Sequence, residues 1–276
     1  MGYVRKNTIG SSPMTLVLTA FLLGCSSTGS GLPEPAPPGP ELPTPPEAFV
    51  VRDAPVSFTV LSDSLAADPE VEDMVAPFRV SMADQISEVI GEATGLFTEG
   101  RPEGSLGNFA ADAVLEAARN RSDEPIHMSL VNNGGLRVPL AEGPITMSHM
   151  FELMPFENLI SILVMEGSTV AELAQQLANR GGEPIAGFSF RIVETGGERT
   201  AVDLAVGGEP LVLDRLYRLA TSDFLASAGD DLSALLAAKA REDLPVLIRD
   251  ALVEFIRERG SIEPRLEGRI TSGGSR

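Results

Sequence analysis

The chain has 276 residues, 43% of them hydrophobic, which is ample material for one sizeable core. Its 21 basic and 39 acidic residues leave a formal charge of −18. That excess of acid argues against nucleic acid as a partner, since phosphate backbones need a basic stripe, and a small anionic ligand would have to be met by a local arginine site.

In chain order, the first elements are signals rather than fold. Arg5 and Lys6 form a basic start, and residues 14–23 form an apolar run too short to span a bilayer, which takes about 20 residues. The run ends in Leu22-Leu23-Gly24-Cys25, which resembles a lipobox: a small residue precedes the cleavage point, and a thiol follows to carry diacylglycerol. Cys25 is the only cysteine, so no intramolecular disulfide can form. The expectation is a lipoprotein signal peptide over residues 1–24 with lipidation at Cys25; the alternative is an ordinary secretory signal that contains a cysteine. Ser26 after the cysteine matches the outer-membrane sorting pattern of bacterial lipoproteins. That would place the protein in the cell envelope, lipid-anchored to the outer membrane and facing the periplasm. Residues 25–48 read as a Pro-rich tether, with eight prolines between Pro33 and Pro46. Such a run excludes helix and central strand and extends as polyproline II, at ~3.1 Å per residue.

Residues 49–272 read as one domain, with no second break in composition. A strand is expected over residues 56–61. Val71, Met74, Val75, Phe78, Met82, Ile86, Val89 and Ile90 then fall on one face of a helix over residues 69–93. A second helix is expected over residues 107–120, and a short strand over 127–131 that feeds an Asn-Gly-Gly turn. Strand 159–165 precedes a helix over 169–179, ended by Gly181-Gly182. Strands follow over 188–193, 202–206 and 217–221, then helices over 232–239 and 244–257 and a last strand near 268–271. Helices and strands interleave without a βαβ repeat or a Gly-rich phosphate loop, so the fold class is α+β, a single mixed-sheet domain.

Three segments carry the chemistry: Asn132-Asn133-Gly134-Gly135-Leu136-Arg137, Met154-Pro155-Phe156-Glu157-Asn158, and the stretch from Asp223 through Asp231. Each places rings, amides, a guanidinium or carboxylates beside Gly or Pro. That set suits a nucleoside: rings stack on a base, amides read its edge, a carboxylate accepts from ribose hydroxyls, and a guanidinium meets phosphate. Taken singly the segments stay ambiguous, because a Phe after Pro is more often core packing and an Asn-Gly-Gly turn can carry a solvated arginine.

Taken together, Asn-x-Gly-Gly-x-Arg and the two Phe-bearing segments resemble the C-terminal, substrate-binding domain of the bacterial and animal 5'-nucleotidases, from about Val71 to Ile270. The resemblance implies that Phe156 and Phe224 sandwich the base and that Asn158 presents an amide to it. It implies that Asn132 and Arg137 contact the nucleotide, with Arg137 near phosphate or ribose, and that Asp230 accepts from the ribose hydroxyls. Arg101, seven residues before Asn108, stands near a second family arginine, shifted by one position. Two departures bear on the site. The family's usual Gly-Gly-Asp-Gly is here Ala228-Gly229-Asp230-Asp231, which removes two glycines and adds an acid, and Glu157 stands where Gly is most common.

In that family a two-metal site in a separate N-terminal metallophosphoesterase domain activates water. This chain has two histidines, His127 and His149, both expected to be structural, and no Asp-x-His or Gly-Asn-His segment. It has no Gly-x-Ser-x-Gly elbow either. No catalytic residue and no cofactor are therefore assigned to this chain, and divalent metals are expected only in a partner catalytic domain. The expectation is a lipid-anchored protein that binds an AMP-like nucleotide or nucleoside as the substrate-binding subunit of a split 5'-nucleotidase, beside a separate metallophosphoesterase chain. The rival is a non-catalytic ligand-binding or scaffold lipoprotein of the envelope.

Overall fold

The computed structural model describes residues 66–273. The expected signal peptide, Cys25, the tether and the strand over 56–61 lie outside the described residues.

The first helix, α1 (Pro69–Ile86), starts where Asp68 accepts from the backbone N–H groups of Glu70 and Val71 and Pro69 supplies a preset φ. Its Val71, Met74, Phe78 and Met82 remain exposed. The helix is shorter than the periodicity predicts. Val89 and Ile90 belong to strand β1 (Val89–Ala93), because they are drawn into a sheet with two later strands. Helix α2 (Ser105–Arg119) is buried along most of its length. Strand β2 (Met128–Leu130), a 3-10 turn at Asn133–Gly135, strand β3 (Gly143–Thr146) and helix α3 (Met147–Leu153) follow. Neither β3 nor α3 is marked by a long periodic run.

Next come β4 (Leu159–Glu166), α4 (Gly167–Asn179), β5 (Ile185–Ala186), β6 (Phe188–Thr195), β7 (Glu198–Val206), β8 (Glu209–Pro210) and β9 (Leu216–Ser222). After a one-turn helix, α5 (Asp223–Ala226), the chain departs from expectation again. Residues 232–239 form only a 3-10 turn at Ser233–Ala237, and strand β10 (Ala240–Leu247) takes up residues 244–247 before helix α6 (Ile248–Arg259) begins. The apolar content of 244–247 is compatible with either state, and pairing with β4 decides it, from Ala240 opposite Val164 to Leu247 opposite Leu159. Pro245 lacks the N–H of a central strand but is tolerated because β10 is a sheet edge. Strands β11 (Ser261–Ile262) and β12 (Ile270–Gly273) end the described chain.

The strands form three sheets, in the orders β11-β1-β3, β10-β4-β9-β2-β5 and β12-β6-β7-β8. The five-stranded sheet divides two hydrophobic cores. Ile160, Ile162 and Ala220 face the core built by α2 and α6, where Phe109 stacks edge-on with Phe97 and Phe255 at centroid distances of 5.7 Å. Leu163, Met165 and Leu219, alternating with them, face the core under α4 and β6. Polar side chains within the sheet are satisfied: Ser129 Oγ donates to Ala111 O at 2.6 Å, and Thr221 Oγ1 to Leu130 O at 2.9 Å.

Register in this sheet places the functional loops. Strands β2 and β9 run parallel, with Ser129 opposite Ala220. Strand β4 is antiparallel to β9, with Ile160 opposite Ser222, and β5 is antiparallel to β2, with Leu130 opposite Ile185. The chain therefore leaves β2, β9 and β10 and enters β4 and β5 at one and the same sheet end. The loop after β9 keeps an unusual backbone there. Ala228, Asp230 and Asp231 have φ of 63°, 55° and 55°, in the left-handed region that favours Gly. Both positions where glycine gave way, Ala228 and Asp231, thus retain a glycine-like conformation. Gly229 stays glycine for a different reason, since a Cβ there would lie 2.5 Å from a Phe224 ring atom.

Three stability changes are expected. Leu163→Ala, at a fully buried position facing the second core, should cost about 2–5 kcal/mol in urea unfolding of the purified protein. Ala228→Gly and Asp231→Gly should each raise stability by about 0.5–1 kcal/mol by relieving left-handed backbone at a non-glycine residue. An unchanged urea midpoint for both glycine variants would refute that account of the loop.

Candidate functional site

After β2 the chain enters the Asn132–Arg137 loop. Asn132 Nδ2 donates to Asp230 Oδ2 at 2.7 Å, joining this loop to the one after β9. Gly135 leaves room for that amide, since a Cβ there would stand 3.0 Å from Asn132 Oδ1. Arg137 is exposed, and its Nη1 donates to Gly134 O at 2.9 Å. Beneath the loop lies Glu183, only 3% exposed. Its Oε2 accepts from the backbone N and the side-chain Nδ2 of Asn133, at 2.8 and 3.0 Å. Its Oε1 accepts from Arg101 Nη2 at 3.0 Å and from Arg180 Nε at 3.3 Å. A buried carboxylate survives because every lone-pair direction meets a donor.

The segment before β4 carries Phe156 and Asn158. Arg249, on the first turn of α6 and 7% exposed, donates from Nη1 to Met154 O at 3.2 Å and to Phe156 O at 3.5 Å. Its guanidinium lies 4.3 Å from the Phe151 ring centroid, and its buried Nε has no hydrogen-bond partner. Asn158 Nδ2 donates to Asp223 Oδ1 at 2.9 Å, and the same oxygen accepts from Phe224 N at 2.8 Å. Asp223 thus ties the base of one phenylalanine segment to the other. The two rings themselves stand in solvent, Phe156 42% and Phe224 47% exposed. They are therefore not core residues, although their backbones are clamped.

The structure brings Asn132 and Asp230 into direct contact and joins Phe156, Asn158 and Phe224 through Asp223. Arg101 is set further back. Its Nη1 donates to Arg180 O at 2.7 Å and also to Gly182 O, and it reaches the Asn132 loop only through Glu183. Asn158 spends one amide donor within the protein instead of presenting it wholly to a base. Glu183, Arg180 and Arg249 were missed in the sequence, and Asp223, although it opens the third segment, was given no role there. Glu183 follows Gly181-Gly182 and reads there as helix-stop context, whereas Arg249 sits in an amphipathic helix and carries no local signal at all.

At the far side of β4, the Arg241 hydrogen bond holds the Asp243 carboxyl below the usual carboxylate range, aided by the Ser161 hydroxyl. Both histidines serve the backbone through Nδ1. His127 accepts from Arg218 N at 3.0 Å, and His149 accepts from Thr146 N at 3.1 Å in a helix capping box. Burial, and then the nearby Arg215, Arg218 and Arg119, push the His127 pKa down. Among the described residues no group of three His, Cys, Asp or Glu side chains is placed to hold a metal ion. A cleft of about 890 Å³ lies elsewhere, lined by Phe109, Asp112, Phe255, Arg259 and Glu263 among others, and none of the expected site residues lines it.

Residues 89–237 match the family described as 5'-nucleotidase, C-terminal domain. A trifunctional nucleotide phosphoesterase protein of Bacillus subtilis is 26% identical over 235 residues, covering 78% of this chain and 16% of that one. The 5'-nucleotidase of Bos taurus is 23% identical over 249 residues, covering 78% of this chain and 42% of that one. Among solved structures, the 5'-nucleotidase precursor of Thermus thermophilus superposes with a TM-score of 0.64 at 25% identity, over 74% of this chain and 43% of that one. The NAD nucleotidase of Haemophilus influenzae shares the fold, with a TM-score of 0.59 at 18% identity over 76% of this chain and 42% of that one. The chain thus spans less than half the length of these relatives. With more than half of its residues inside the matched domain and the expected α+β mixed-sheet fold in place, the chain belongs to the 5'-nucleotidase family through that family's C-terminal domain.

Proposed function

We propose that this protein is a lipid-anchored, nucleotide- or nucleoside-binding protein of the bacterial cell envelope, serving as the substrate-binding subunit of a split 5'-nucleotidase. One observation carries the reading: Phe156 and Phe224 emerge half-exposed at a single sheet end, their backbones clamped, beside the Asn132–Asp230 pair. An exposed phenylalanine held at its base keeps its faces free for stacking at little further entropic cost. Base–aromatic stacking is worth about 1–3 kcal/mol per base. Asp230 Oδ1 and the outer face of the Asn132 amide supply polar partners for ribose hydroxyls. Arg101, Arg137 and Asn158 complete the proposed set, with Arg101 acting from behind through Glu183. Hydrolysis would require a separate metallophosphoesterase chain to bring the divalent metals and the activated water. The lipid anchor would rest on Cys25, outer-membrane-bound and facing the periplasm. A second reading, a ligand-binding or scaffold lipoprotein without a catalytic partner, shares the same site and differs only in what meets it.

Calorimetric titration of the purified protein with adenosine and AMP tests the site. Phe224→Ala should weaken binding about 5- to 150-fold, the equivalent of one stacked ring, and wild-type heats that survive this change would overturn the reading. Glu183→Gln should weaken binding several-fold while circular dichroism remains native, because Asn133 loses a charged acceptor and two guanidinium groups lose their counter-ion. Mixing the protein with an exported metallophosphoesterase encoded beside it should produce AMP hydrolysis that neither shows alone. Binding without any such gain would favour the second reading.

A further inference from the structure

We infer that the apolar face of α1 is where a second copy of this chain docks, the two helices packing antiparallel about a two-fold axis beside Val75. Apart from Glu72, every described side chain from Val71 through Gln85 is exposed. Val71, Met74, Val75, Phe78 and Met82 are between 39% and 67% exposed. They fall at i, i+3, i+4, i+7 and i+11, which sets all five on one stripe of the helix. Val80, on the opposite side, is the exception among its large apolar residues. An isolated helix of 18 residues is marginal in water. Pro77 inside it removes one hydrogen bond of the helical ladder and weakens it further. Such a helix is held by the packing of its apolar face rather than by propensity, and the described chain leaves that face uncovered.

Charge selects the occupant. The helix carries Glu70, Glu72, Asp73 and Asp84 against Arg79 alone. A helix that lies on an anionic lipid surface has Lys and Arg on its polar side, so this one is ill suited to a membrane. Against a copy of itself the same charges are complementary. Glu72 and Arg79 stand two turns apart on one flank of the stripe, and within one chain Arg79 Nη1 donates to Glu72 Oε2 at 2.9 Å. In an antiparallel pair the equivalent flanks of the two helices face each other, so each Arg79 meets Glu72 of the other copy. A parallel pair would set this flank against the opposite one, which bears Glu70 and no base. With residue 72 opposite residue 79, the two-fold axis passes between Val75 and Ala76. Phe78 of each helix then falls among Val71, Met74 and Val75 of the other, and Val75 lies beside its own symmetry mate. The five apolar side chains of each copy supply the attraction, while the exposed charges fix direction and register.

The test is sedimentation velocity of the full chain over a concentration series, at about 0.15 M salt, where repulsion between two acidic chains is screened within ~8 Å. The expected result is a dimer whose share grows with concentration. Phe78→Glu should weaken it at least about tenfold with an unchanged circular dichroism spectrum. Glu72→Arg and Arg79→Glu should each weaken self-association, and mixing the two variants should restore it. Orientation is read by oxidative cross-linking in a Cys25→Ser background. Val75→Cys should form a symmetric disulfide. Met82→Cys should not, because at ~1.5 Å per residue its two copies stand about 20 Å apart along the helices, beyond disulfide reach. A monomer at every concentration would overturn the inference, as would a dimer that Phe78→Glu leaves unchanged or cross-linking of both cysteine variants alike. Binding to phosphatidylglycerol vesicles that Phe78→Glu abolishes would assign the face to lipid and overturn it too. None of these outcomes bears on nucleoside binding, so the two proposals stand or fall separately.

Discussion

Two cores on opposite faces of one five-stranded sheet are the constraint on which the rest depends. Every central strand must send alternate side chains to different cores, Ile160 and Ile162 to one and Leu163 and Met165 to the other. A slip of one residue would exchange the two sets. The register of β4 against β9 is therefore held from both faces at once. Because that register is firm, so is the position at which each strand ends, and loops distant in sequence open onto the same edge. Residues as far apart as Asn132 and Asp230, or Asn158 and Asp223, meet for that reason.

Beyond the sheet edge, polar clamps replace packing. Glu183 gathers Asn133, Arg101 and Arg180 around one buried carboxylate, and Arg249 holds the carbonyls of the Phe156 segment. Neither clamp touches the two rings, which stay exposed. The unsatisfied Nε of Arg249 shows that the second clamp is made at some cost. Ala228 and Asp231 in left-handed backbone are a similar concession, made at the loop that carries Asp230. Three of the four non-glycine residues with positive φ among the described residues, Ala228, Asp230 and Asp231, thus fall in this one loop, as is common for sites built on a rigid scaffold.

Much was legible before the fold was known. Helices α2 and α4 have amphipathic runs long enough for periodicity to identify them, and β4, β6 and β9 follow from their apolar, β-branched content. What escaped was short or conditional. Nothing in residues 240–247 demands a strand until β4 offers a partner, and Val89 and Ile90 continue the helical period of α1 until β3 and β11 claim them. The same holds at the site. Rings, amides and Asp230 were visible through their turn-forming neighbours, whereas Glu183 and Arg249 matter only through what they touch.

By itself, then, the sequence determined the α+β class, the family resemblance and the identities of the groups offered to a ligand, because those reside in local periodicity and in short motifs. Tertiary structure decided which of those groups remain available. Pairing across the sheet set Asn158 on Asp223 and Asn132 on Asp230, and folding turned Arg101 and Arg180 inward onto Glu183. A side chain's charge is written in its residue type, but its partners are settled by folding: Arg101 meets Glu183 across 82 positions of sequence, and no local pattern encodes that pairing.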